Sequence, residues 1–240
     1  MTWLAPIDDT LPATRGHASL LGAPVGDLED LAPGDVGLVG LFMDHGDTAG
    51  FGARFAARQI RYTSRPAYGM APTPGAPIVR RGRLFDLGDL NVFPLEPARH
   101  REALERQFVA LLGTGARFIV VGGSMRLEAI MAGAARLRSH AAPVHTLVVD
   151  GLERSVEIPS EGHLFATVDL AHLFEPAAAG RPKTRMLHAI RALPPERVLA
   201  AHLTGLAPEL DLSARHDASV AALMLDALVR HLGAGVDPCH

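Results

Sequence analysis

Apolar runs and amphipathic stretches take turns along the chain. "DVGLVGLFMD" (35–44) is a continuous apolar run ending in an acid, the pattern of a strand buried on both faces. "GFGARFAARQIRY" (50–62) sets Phe51, Phe55 and Ile60 roughly on one side of a helix. "GRLFDLGDL" (82–90) predicts a short strand and turn. "EPARHREALERQFVALLG" (96–113) predicts a helix, apolar at Leu104, Phe108, Leu111 and Leu112 and closed by Gly113. Strands are predicted over 117–123, 143–151, 163–171 and 197–206, and helices over 124–139, 183–193 and 214–233. Two Pro- and Gly-rich stretches, 64–78 and 175–182, predict loops.

Apolar strands separated by amphipathic helices predict an α/β protein: a three-layer αβα domain with a mainly parallel central sheet. Residues 35–240 read as that single domain and residues 1–34 as an N-terminal extension. Ligands in such sheets bind beyond the carboxyl ends of the strands. Those ends carry Asp44, His45, Asp47, Ser124, Met125, Arg126, Asp150, Asp169 and His202. Each has a structural reading beside the functional one. An Asp closing a strand also serves as the cap of the next element, and a lone His on a strand is commonly a satisfied core residue. "VVGGSMRLEA" (120–129) is the most pointed case: a strand, two glycines, then a helix, with a thioether and a guanidinium at the opening.

Composition narrows the classes. The chain has 240 residues, 48% of them hydrophobic, enough for one sizeable core. A net charge of −3 gives no basic footprint for nucleic acid or an anionic membrane. The one cysteine, Cys239, excludes an intrachain disulfide framework or cysteine metal cluster. The first 16 residues lack a basic stretch followed by an apolar one, and no run of about 18 apolar residues occurs. The expectation is a cytoplasmic protein without a membrane span.

Six features, in order, resemble the ureohydrolase family, which includes arginase and agmatinase. "GLVGLFMDHGDTAGFGARFAARQIR" resembles the family's opening strand and its Gly-x-Arg-x-Gly-Pro-x-x-Ile-Arg helix. Gly52, Arg54, Ile60 and Arg61 match, while Ala56 and Ala57 replace Gly-Pro. "FDLGDL" (85–90) is similar to its Asp-x-Gly-Asp turn. "FIVVGGSM", "LVVDGLER" (147–154), "ATVDLAHLFEP" (166–176) and "HLTGLAPELD" (202–211) follow where the family has its remaining motifs. The resemblance runs from about 35 to 232 and implies the arginase-like fold.

The same resemblance implies two bridged Mn²⁺ ions held by four Asp and two His. Carried over residue by residue, most of that set is missing. Asp150 and Asp169 are retained as vestigial ligand positions. Met125, Leu152, Arg154 and Ala171 stand where other ligands belong, and Gly205 replaces the Glu that contacts a guanidinium substrate. Arg126 and Arg154 are expected to pair with the two stranded acids. The substrate-pocket candidates are therefore His45, Asp47, Ser124, Met125, Arg126, Arg154, His172 and His202. Two functions follow. One is a degenerate ureohydrolase without binuclear manganese chemistry and without a cofactor, a pseudoenzyme, scaffold or regulatory subunit. The other is a hydrolase acting on a non-peptide C–N bond (amidino or amide), in specialised biosynthesis. It would use a site rebuilt around one divalent metal, Mn or Zn, with histidines such as His163 or His172 as ligands. The partners expected are a second copy, a related catalytic subunit or a small molecule.

Overall fold

The computed structural model describes residues 19–44, 52–69, 84–124, 126–138, 142–150, 157–173, 181–207 and 216–234; the side chains of 64–69, 172, 181, 216 and 234 lie outside the description. Among these residues six strands form one sheet: β1 (Val36–Gly40), β2 (Leu84–Asp89), β3 (Arg117–Val121), β4 (Val144–Val149), β5 (His163–Asp169) and β6 (Val198–Thr204). Their order is β2-β1-β3-β6-β5-β4, and every neighbouring pair is parallel.

The helices are α1 (Ala56–Gly69), α2 (Pro97–Gly113), α3 (Glu128–Leu137), α4 (Arg181–Ala192) and α5 (His216–Ala234). A parallel connection must cross over right-handedly, so the direction of each step selects the face its helix covers. The steps β2→β3 and β3→β4 run one way, and α2 packs with α3. The steps β1→β2 and β5→β6 run the other way, and α5 packs with both α1 and α4. Two apolar clusters result, one on each face. Val39, Phe118, Val120 and Phe165 point to the α2–α3 side, and Leu38, Ile119, Val121 and Val168 to the α1–α4–α5 side. This is the predicted three-layer αβα fold.

The element boundaries differ from the sequence expectation at informative places. Helix α1 is preceded by a 3-10 turn at Ala53–Phe55 and continues through 64–69, read above as part of a loop. Helix α4 begins at Arg181, inside the second expected loop. Helix α3 begins at Glu128 rather than 124, a few residues after the left-handed Gly122 and Gly123. The segment 19–34 is part of the body of the fold. Leu20 and Leu21 are buried against α1, and Pro24–Gly26 lies along β2, with Asp86 N–H donating to Pro24 O and Gly26 N–H to Asp86 O.

A buried ion triad fastens β2 to α1. Arg61 donates through Nε and a terminal nitrogen to the two oxygens of Asp86, at 2.9 and 3.0 Å, and reaches Asp89 and the Gly88 carbonyl. Burial alone would lower the pKa of this guanidinium; the bonds and charges of Asp86 and Asp89 outweigh it and raise the value. Asp86 also accepts the backbone N–H of Leu20 and Gly88. The residues that carried the resemblance over 52–61 and 85–90 are thus, in this chain, largely a structural fastening.

Candidate functional site

Register brings the two retained acids together. Val149 of β4 pairs with Val168 of β5, so Asp150 and Asp169 follow side by side at the carboxyl edge, about one strand spacing of 4.8 Å apart. Asp169 in turn pairs with Thr204 of β6. The next row inward is Val148, Thr167, His202 and Val120, all on the α2–α3 side of the sheet.

The edge is organised by polar fastenings. Gly122 and Gly123 take φ of +84° and +73°, a pair of left-handed residues that turns the chain sharply off β3. A Cβ on Gly123 would lie 2.7 Å from Leu41 side-chain carbons. The carbonyl of Gly122 meets His202 Nε2 at 2.9 Å, and that of Gly123 accepts the Thr204 hydroxyl at 2.6 Å. The amides of Gly122, Gly123 and Ser124 donate to Leu203, Ala53 and Met43 carbonyls. All three N–H groups are engaged in the fold, so this turn does not offer the amide cradle that a phosphate needs.

His202 is buried. Its burial lowers its pKa; the Gly122 carbonyl and the charges of Glu128 and Asp169 act the other way. Asp169 accepts the backbone N–H of Ala171 at 3.0 Å and thereby caps the 3-10 turn Ala171–Leu173. Asp44 does the same for the next turn, accepting the N–H of Gly52 at 2.8 Å and of Arg54 at 2.7 Å. Thr167 holds a buried hydroxyl without a hydrogen-bond partner among the described residues.

Ser124 is half-buried, and its N–H bond to Met43 carries the chain toward β1, away from β4 and β5. Arg126 follows, exposed, with no hydrogen bond or ion pair among the described residues. His45, Asp47, Met125 and Arg154 lie outside the described residues, as does the His172 side chain. Sequence reasoning missed Thr204 as the partner of the glycine turn and Gly205 as the neighbour of Asp169; a positive-φ glycine just past a strand was the available signal for the second.

The family's two bridged cations require several donors converging with free lone pairs. Among the described residues no three His, Cys, Asp or Glu side chains are grouped to hold a metal ion. Asp169 directs an oxygen at a backbone amide, and His202 Nε2 faces a carbonyl. The described donors do not fit a binuclear centre. No helix among the described residues is long and apolar enough to cross a membrane.

Residues 34–151 match the model of the arginase family. Similar solved structures include proclavaminate amidino hydrolase from Streptomyces clavuligerus (TM-score 0.68, 16% identity, covering 94% of this chain and 100% of that one). A hypothetical agmatinase from Burkholderia thailandensis has TM-score 0.68 and 17% identity, covering 94% of each chain. Formiminoglutamase from Trypanosoma cruzi with Mn²⁺ has TM-score 0.63 and 16% identity, covering 92% of this chain and 99% of that one. No curated protein matches the sequence.

Proposed function

We propose that this chain, whose residues 34–151 match the arginase family, is a degenerate ureohydrolase, without binuclear manganese chemistry, acting as a pseudoenzyme, scaffold or regulatory subunit. The observation that carries this reading is Asp169, one of the two retained acids, whose oxygen is held by the Ala171 amide. Two further points support it. The family match ends at Gly151, just before Leu152 and Arg154, where the resemblance places lost ligands. The His202 ring, a candidate replacement donor, is enclosed and bound to Gly122.

The test is direct. Protein incubated with Mn²⁺ and desalted should retain well under one ion per chain by elemental analysis, and should release no urea from arginine or agmatine. Restoring Met125→His alone should change neither, since three ligands and the acid at 205 would still be absent. Stoichiometric metal would sink the proposal and favour the hydrolase with a rebuilt site.

A further inference from the structure

We infer that Asp169 and Gly205 are a mutually dependent pair in which the carboxylate has become a cap that only a glycine at 205 admits; this deepens the functional reading above and rests on it. The resemblance sets a cation ligand at 169 and a substrate-contacting acid at 205. In this chain they cannot coexist. Gly205 has φ +83°, where a side chain is strained. A Cβ there would lie 2.5 Å from the Ala171 nitrogen and 2.7 Å from the Leu170 nitrogen, and would overlap the Asp169 carboxylate.

Those nitrogens are not free to give way. Leu170 N–H donates to Thr204 O at 2.9 Å, tying the turn to β6. Leu173 N–H donates to Leu170 O at 2.9 Å, closing the turn, and Leu170 and Leu173 are both buried beneath it. The turn therefore holds Asp169 from below, through the Ala171 amide, and the bare backbone of Gly205 leaves room for it on the other side. A second acid at 205 would add a like charge to the same place. The loss of the family's chemistry is thus built into the backbone, and replacing the missing ligands one by one does not reverse it.

Thermal melting of the whole chain, with and without excess Mn²⁺, tests the pair. Asp169→Asn keeps an oxygen for the Ala171 amide and should melt within about 1 °C of the parent, whereas Asp169→Ala should melt about 2–4 °C lower, the shift expected for a lost cap in a chain of this size. Gly205→Ala should fall further, and by less when Asp169→Ala is already present, because one of its clashes has been removed. Mn²⁺ should move none of these midpoints. An Asp169→Ala protein that melts like the parent, or an Asn variant that falls as far as Ala, would overturn the inference even if metal content is nil. Bound metal in the parent that survives Asp169→Ala, with Asn still tolerated, would leave the cap standing and remove only the functional reading. Should Gly205→Ala fail to fold, the Asp169 variants decide alone.

Discussion

His202 is a titratable group with almost no contact with solvent, 2% exposed and bound to a carbonyl. Burial holds its folded pKa below the ordinary value of about 6.5, with Gly122, Glu128 and Asp169 opposing the shift only in part. The unfolded chain therefore takes up this proton first as pH falls. The stabilisation is complete above the unfolded value and is lost as pH drops through it toward the folded one. The urea midpoint should decline as pH falls through about 6.5 and below, and less steeply in His202→Gln, which keeps a donor for Gly122 but cannot titrate. Parallel declines in the two proteins would show that this ring is not responsible. Strand-end acids such as Asp44 and Asp169 were legible from sequence, since an Asp closing an apolar run stands out. Whether each ligates or caps depends on where an amide lands two or more residues later, which the turn's dihedrals decide. A lone His on a strand reads as a satisfied core residue, and His202 is buried and bonded to Gly122; that partner, 80 positions away, is what the pattern does not signal.

Elements were legible because period decides them, and their ends were not, because single residues decide those. Every predicted strand and helix has a counterpart, but α3 starts late behind two left-handed glycines, and α1 outlasts its apolar pattern. The fastening between α1 and β2 belongs to this scale. Arg61 is 7% exposed and Asp86 3%. Removing the guanidinium strands a buried carboxylate at Asp86 and a partly buried one at Asp89. Arg61→Ala should cost on the order of 3–5 kcal/mol in denaturant unfolding. Arg61→Lys should restore little, since an ammonium cannot span both Asp86 oxygens, Asp89 and the Gly88 carbonyl. Arg61→Ala with Asp86→Ala should be less damaging than the sum of the single changes, because each strands the other's partner; additive losses would mean that the triad is not coupled.

Strand order is the property of the whole molecule that local pattern does not contain. Alternating elements announced a parallel sheet, and the resemblance supplied the architecture. The pairing of β3 with β6 joins residues about 80 positions apart, a separation that period cannot signal. The two edges of the sheet are also treated differently. Residues 24–26 run along β2, whereas β4 leaves Val148 54% exposed.

Among the described residues, the last strand to be made is thus a central one. Until Val198–Thr204 emerges from the ribosome, β2-β1-β3 and β5-β4 are separate half-sheets, each with an open hydrogen-bonding margin. The two glycine carbonyls that await His202 and Thr204 are then unanswered as well. Unpaired strand edges and uncovered apolar faces make such an intermediate prone to aggregate, the kind that chaperones exist to hold. Stalled ribosomal chains ending before Val198 should therefore remain open to protease throughout, and protection should arrive in one step when β6 clears the exit tunnel. A stable protease-resistant core of β1 to β3 at shorter lengths would show instead that the amino-terminal half completes its folding without its distant keystone.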